Sequence, residues 1–132
     1  EPVAQMQCLL HDAPEYVVGD MISPFKAVIG GSYKDVEKGL LAAIFLRFSL
    51  PATMPAAVNK LVKKADQEAA FLEATNLAGF EPPEARRLFG VPSQSAFDIE
   101  AFDKLIRPWP TQQAHERFIG AFEQISRDIS SA

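Results

Sequence analysis

An adjacent histidine and aspartate, His11 and Asp12, are the residues of this sequence whose chemistry best suits a metal ion. A second carboxylate, Asp66, lies in an alanine-rich stretch, with Val62 and Ala70 one turn away on a predicted helix. Imidazole and carboxylate groups together form a mixed ligand set that divalent metals accept readily. A carboxylate on a small-residue face also needs a compensating partner, such as a cation or a metal. These residues therefore form a candidate site for a divalent metal.

Each of these residues also has an ordinary structural explanation. His11 could be a hydrogen-bonded histidine at the end of a buried helix, and Asp12 could be the N-cap of the next helix. Asp66 could form an ion pair with Lys63 one turn earlier. Glu15 could complete a capping box with Asp12. Spacing alone does not separate these explanations from a metal site.

Helices must position these side chains in the N-terminal half. Residues 3–11 have their apolar side chains at spacings of three and four, which predicts a helix that ends at the His11–Asp12 pair. A short helix should begin near Glu15 and stop before Gly19. Ser32 is the predicted N-cap of a long helix that runs to about Phe48. The predicted core residues of that helix recur every four residues, at Val36, Leu40, Ile44 and Phe48, and Leu41 and Phe45 join them.

Helices also dominate the C-terminal half. The pattern predicts a second long helix from Ala56 to about Leu77, a short helix over residues 84–89, and a final amphipathic helix from Thr111. The predicted apolar face of the final helix consists of Ala114, Phe118, Ala121, Phe122, Ile125 and Ile129. No alternating β pattern of useful length is present. The prediction is an all-α fold, an irregular helical bundle, with one domain over residues 1–132.

Composition excludes several classes of function. The net charge of −4 gives no electrostatic reason to expect binding along duplex nucleic acid. Cys8 is the only cysteine, so no disulfide or thiolate zinc cluster can form within the chain. No stretch approaches the roughly 18 apolar residues that suggest a membrane span. We expect a soluble cytoplasmic protein without membrane partners.

Two segments of the sequence carry a family resemblance. Residues 11–26 read HDAPEYVVGDMISPFK, and residues 63–66 read KKAD. Together they resemble the HD-domain metal-dependent phosphohydrolases, in particular the bacterial 5'-deoxynucleotidase group. In that group a histidine-aspartate-alanine-x-glutamate segment leads to glycine-aspartate and then to a proline and a lysine, and an alanine-aspartate on a later helix completes the metal site. The resemblance implies a helical fold of the HD-domain type and hydrolysis of a phosphate ester.

The resemblance also implies roles for individual residues. His11, Asp12 and Asp66 look like the ligands of a divalent metal, which could be Mn, Co, Zn, Fe, Ni or Mg. Glu15 looks like the residue that handles the proton of the attacking water or of the leaving group. Asp20 looks like a substrate-side residue near the sugar, although it could equally be a turn residue. The implied substrate is a small nucleotide, best a nucleoside 5'-monophosphate.

The sequence departs from the family at one ligand. Those hydrolases use a further histidine upstream of the histidine-aspartate pair, and no histidine precedes His11 in this chain. His115 cannot take the place of that upstream histidine, because it lies far downstream of the pair, at a position expected to be exposed. We expect the chain to begin inside a larger protein and to lack the N-terminal helices of the domain.

Three functions stay open at this point. The first is a nucleotidase acting on a 5'-monophosphate, and the second is an HD hydrolase of nucleoside triphosphates or cyclic nucleotides. The third is a helical domain that binds a nucleotide or another partner without turnover. The apolar face of the final helix would also suit a homodimer.

Overall fold

A computed structural model of the chain describes residues 1–21, 26, 28–90 and 106–132. Every regular element within these ranges is an α-helix and none is a strand, which confirms the all-α prediction. The helices are α1 (Pro2–Leu9), α2 (Glu15–Val18), α3 (Gly31–Arg47), α4 (Ala56–Asn76), α5 (Pro82–Phe89) and α6 (Thr111–Ser130). Residues 22–25, 27 and 91–105 lie outside the described residues. Among the described helices, none has the length and apolar character that crossing a membrane requires.

The chain divides into two compact units. The first consists of Glu1–Pro55 and Phe118–Ala132, and it contains α1, α2, α3 and most of α6. The second consists of Ala56–Arg117, with α4, α5 and the start of α6. Four of the candidate site residues belong to the first unit, and Asp66 belongs to the second. The single domain expected from the sequence stays a prediction.

The core of the first unit is formed by α1, α3 and the later part of α6. Its buried residues are Met6, Leu10, Phe45 and Leu50. Partly buried hydrophobic residues pack against them, including Val3, Leu9, Leu41, Ile44, Phe122, Ile125 and Ile129. This arrangement confirms the predicted apolar face of α1. The end of the helix, just before the His11–Asp12 pair, is therefore packed against the core.

The core face of α3 agrees with the predicted one at Leu41, Ile44 and Phe45 but not at Val36 and Phe48. Phe45 is 1 % exposed and lies at its centre, whereas Val36 is 54 % exposed and Phe48 is 42 % exposed. An α-helix has 3.6 residues per turn, so positions spaced by four drift by about 40° at each step. Over the three steps from Val36 to Phe48 the drift is about 120°, too much for a single buried face. The prediction of Val36 and Phe48 as core residues was wrong for this reason.

The apolar face of α6 is also only partly buried. Phe122, Ile125 and Ile129 pack into the first unit, while Phe118 is 45 % exposed. Ala114 and Ala121 are exposed as well. Among the residues that the structure describes, the predicted face contributes to a core along its C-terminal half.

Two helix caps are placed differently from the predictions. The N-cap of α3 is Gly30 rather than Ser32, with φ of 80°, which glycine adopts without a Cβ clash. The N-cap of α2 is Pro14 rather than Asp12, and no side chain caps that helix. The Asp12 backbone carbonyl accepts a hydrogen bond from the Glu15 amide at 2.9 Å.

The second unit is built on the packing of α4 against α5. Its buried hydrophobic residues are Val62, Leu72, Ala74 and Ala85. Helix α5 begins at Pro82, two residues before the predicted start, because prolines are tolerated in a first turn whose amides need no helical acceptor. Helix α4 has nearly the predicted bounds, and it carries Asp66.

Candidate metal centre

The His11–Asp12 pair lies in the turn that follows α1. Backbone hydrogen bonds continue past the helix, from the Leu10 amide to the Met6 carbonyl and from the His11 amide to the Cys8 carbonyl. These bonds fix the direction in which His11 leaves the helix. Its Nε2 lies 3.1 Å from Oδ2 of Asp12. The two neighbouring side chains therefore converge at the end of the helix.

The tautomer of His11 follows from its second ring nitrogen. Nδ1 lies 2.8 Å from the Cys8 carbonyl oxygen, and a carbonyl only accepts, so Nδ1 carries a proton and donates it. Nε2 is shielded from solvent and faces the Asp12 carboxylate. A neutral ring would then direct a lone pair at a carboxylate oxygen. A positive charge between the two atoms, either a second ring proton or a metal ion, removes that repulsion.

The geometry of the pair fits a metal ion. Two ligand atoms that each lie about 2.1 Å from one ion, at a right angle, are about 3.0 Å apart. The 3.1 Å between Nε2 of His11 and Oδ2 of Asp12 agrees with that separation. A backbone carbonyl that holds Nδ1–H is also the usual second partner of a metal-binding histidine. His11 and Asp12 are accordingly suited to be two adjacent ligands of one ion.

A buried glutamine that the sequence interpretation did not single out supports the turn. Gln7 precedes His11 by four residues and is fully buried. Its Nε2 donates to the backbone carbonyls of Pro51 and Thr53, at 3.2 Å and 3.4 Å. This amide ties the end of α1 to the connection after α3. No pattern in the sequence distinguishes Gln7 from an exposed glutamine, because its partners are backbone atoms far along the chain.

The Cys8 side chain is exposed at the end of α1, and desolvation and the negative charge of Asp12 raise the pKa of its thiol. The contribution of Cys8 to the centre is its backbone carbonyl, which orients His11.

Glu15 is the first residue of α2, one turn after the His11–Asp12 pair. Its side chain is 29 % exposed, and Oε1 lies 3.7 Å from the Lys26 ammonium. Burial raises the pKa of the Glu15 carboxyl, and repulsion from Asp12, Asp20 and Glu37 raises it further, against the opposing effect of Lys26. The carboxyl thus keeps its proton to a higher pH than an ordinary glutamate does.

Lys26 bridges Glu15 and a second carboxylate. Its Nζ donates to Oε1 of Glu37 on α3 at 3.2 Å and lies 5.8 Å from the centre of the Tyr33 ring. Burial lowers the pKa of Lys26, but the hydrogen bond to Glu37 and the charges of Glu37, Tyr33 and Glu15 outweigh it, so the pKa rises. Lys26 is therefore a firmly charged ammonium beside Glu15.

Asp20 is exposed and directly follows the end of α2. The preceding Gly19 has φ of 79°, a left-handed conformation that lets the chain leave the helix abruptly. The buried Tyr33 hydroxyl donates to the Gly19 carbonyl at 3.4 Å. The backbone next to Asp20 is thereby held, while its carboxylate is open to solvent.

Asp66 is exposed on α4, in the second unit. The buried positions near Asp66 on this helix are Val62 and Glu68, and Asp66 itself is not one of the buried positions of α4. Glu68 is 7 % exposed, and Lys64 lies 4.0 Å from it. The role of Asp66 as a ligand therefore stays a prediction. His115 is exposed, as expected.

The raised pKa of Glu15 predicts how its replacement changes stability with pH. A carboxyl whose pKa is higher in the folded chain binds more protons there, so its contribution to stability falls as pH rises above its ordinary value of about 4.3. Glu15→Gln removes this titration. In urea unfolding with a chelator, the variant should gain stability relative to wild type between pH 4 and pH 7. A relative loss over that interval would contradict the environment described for Glu15.

Comparison with known proteins adds one relative. No family model matches the chain. The chain is similar to an uncharacterized protein of Rhodobacter capsulatus, with 52 % identity over 88 residues, or 67 % of this chain. The match covers 45 % of that protein, so this chain corresponds to less than half of the relative's length. The name of the relative assigns no activity, so this comparison supports no family or activity for the chain.

Proposed function

We propose that this protein is a metal-dependent phosphohydrolase that cleaves a nucleotide phosphate ester. The observation that carries the proposal is the His11–Asp12 pair. The Cys8 carbonyl holds one ring nitrogen of His11, and the other faces the Asp12 carboxylate at 3.1 Å. The order of His11, Asp12, Glu15, Asp20 and Asp66 along the chain supports it further, through the resemblance to HD-domain hydrolases.

The proposed ligands of the divalent metal are His11, Asp12 and Asp66. The first two have the geometry described above, and Asp66 is included on the sequence resemblance. When bound, such a metal makes water a better nucleophile at neutral pH and stabilises negative charge on phosphoryl oxygens.

Glu15 is the proposed acid and base of the reaction. Water adds to phosphorus while the ester P–O bond breaks, and one proton must pass from the water to the departing oxygen. Glu15 can take the proton from the water and give it to that oxygen, which leaves the carboxylate as it began. Its raised pKa suits this transfer, because the proton affinity of a carboxylate as a base grows with its pKa.

Asp20 is the proposed contact to the sugar. Its carboxylate is exposed, and a carboxylate accepts hydrogen bonds from ribose or deoxyribose hydroxyl groups. The hydrogen bond from the Tyr33 hydroxyl to the Gly19 carbonyl positions the backbone next to Asp20. The resemblance to the bacterial 5'-deoxynucleotidase group makes a nucleoside 5'-monophosphate the best candidate substrate.

A panel of nucleotides tests the proposal. Phosphate release should be measured from nucleoside 5'-monophosphates, with triphosphates and cyclic nucleotides alongside, in Mn²⁺, Co²⁺ or Mg²⁺ and again in a chelator. We expect metal-dependent release of phosphate and nucleoside from the 5'-monophosphates. If only triphosphates or cyclic nucleotides are hydrolysed, the same site acts on a different class of phosphate ester. Saturable nucleotide binding without turnover would replace the hydrolase with a binding domain.

A further inference from the structure

Lys26 connects the proposed proton-handling residue to the long helix α3. Its ammonium lies between two carboxylates, 3.7 Å from Oε1 of Glu15 on α2 and 3.2 Å from Oε1 of Glu37 on α3. The contact with Glu37 has hydrogen-bond geometry, and the longer contact with Glu15 is electrostatic. Lys26 is therefore held by Glu37 and attracts Glu15.

This group differs from an ordinary surface ion pair. The side chain of Lys26 is 24 % exposed, and those of Glu15 and Glu37 are each 29 % exposed. Exposed pairs contribute little because water screens them and both side chains move freely. Partial burial reduces both effects. Without the ammonium, two carboxylates would also face one another in the same partly buried place.

A second contact between α2 and α3, made by Tyr33, limits the movement of α2. The Tyr33 ring lies under the Lys26 ammonium, and its hydroxyl donates to the Gly19 carbonyl at the other end of α2. The start of α2 is thus linked to α3 through Lys26, and its end is linked through Tyr33. A four-residue helix cannot hold its own orientation, so these links determine where Glu15 points.

We propose that Lys26 is a positioning residue for Glu15, with Glu37 holding Lys26 in place. The proposal rests on the proposed function for the catalytic consequence, because it assumes that the Glu15 carboxylate must be held near the reacting atoms. Proton transfer is sensitive to such placement, and an error of about 1 Å can cost 100-fold in rate. Lys26 itself acts through Glu15 and does not need to contact the substrate.

The first test separates positioning from substrate binding. Lys26→Met should lower kcat of phosphate release about 10- to 100-fold, with KM changed less than about twofold and the bound metal retained. Lys26→Arg should recover most of the loss, and Glu37→Gln should show a smaller fall. Lys34→Met, a change at an exposed lysine of α3, is the matched control and should leave kcat unchanged. A rise in KM with kcat intact would overturn the proposal, because Lys26 would then bind substrate.

The second test does not depend on activity. The side-chain carboxyl carbon of Glu15 gives an NMR signal that reports its surroundings. We expect Lys26→Met and Glu37→Gln to shift this signal, Lys26→Arg to restore it largely, and Lys34→Met to leave it in place. If wild type hydrolyses nothing, the proposed function fails while these shifts still support the positioning of Glu15. A Glu15 signal that Lys26→Met does not move would overturn the positioning role whatever the activity.

Discussion

Asp12→Ala should abolish both metal binding and phosphate release. Asp12 supplies the carboxylate 3.1 Å from Nε2 of His11, and alanine leaves that imidazole without its negative partner. Loss of an outer partner of a metal ligand costs about 10- to 100-fold in metal affinity or activity, so loss of a ligand should cost more. Elemental analysis and phosphate release, measured on the same samples, provide the comparison.

The control for this variant is Asp35→Ala. Asp35 is an exposed aspartate in the first turns of α3, in the same unit as Asp12. Its replacement changes the net charge equally and should leave metal content and turnover unchanged. If Asp12→Ala keeps its metal, Asp12 is not a ligand and its contact with His11 has a structural role only. The proposed ligand set of His11, Asp12 and Asp66 would then have to be abandoned.

Glu15→Gln should remove turnover without removing the metal. Glutamine has nearly the same shape as glutamate and can donate or accept hydrogen bonds, but it cannot carry a proton from water to the leaving oxygen. General acid–base groups contribute about 100- to 10,000-fold, and kcat should fall within that range. Phosphate release and metal content are the two measurements.

Glu123→Gln is the matched control for Glu15→Gln. Glu123 is exposed on α6, within the first unit, and its replacement should change neither quantity. Loss of metal in Glu15→Gln would make Glu15 a ligand rather than an acid and base. Unchanged turnover with metal retained would exclude Glu15 from the reaction.

The helices could be predicted from the sequence because their signals are local. Pro82 and Pro83 mark the start of α5, and an uninterrupted stretch without glycine or proline marks α4. The buried face of α3 could not be assigned with the same accuracy. Its hydrophobic residues occur on more than one side, and packing against α1 and α6 determines that Phe45 rather than Phe48 is buried.

The part of the candidate site that consists of residues close together in the sequence could be predicted. His11 and Asp12 are adjacent, and one turn of chain brings Glu15 after them. The Lys26–Glu37 contact could not be predicted, because the two residues are 11 positions apart and no local pattern links them. The burial of Glu68 in place of Asp66 depends on the rotation of α4, and two neighbouring carboxylates give no signal for that choice.

The most direct test of the metal centre is the metal content of the purified wild-type protein beside Asp66→Ala. Glu73→Ala, an exposed change on the same helix, is the control. The proposal predicts about one divalent ion per chain in wild type and in Glu73→Ala, and none in Asp66→Ala. A folded wild type that binds no divalent ion, or an Asp66→Ala protein that keeps a full complement, would contradict the three-ligand centre.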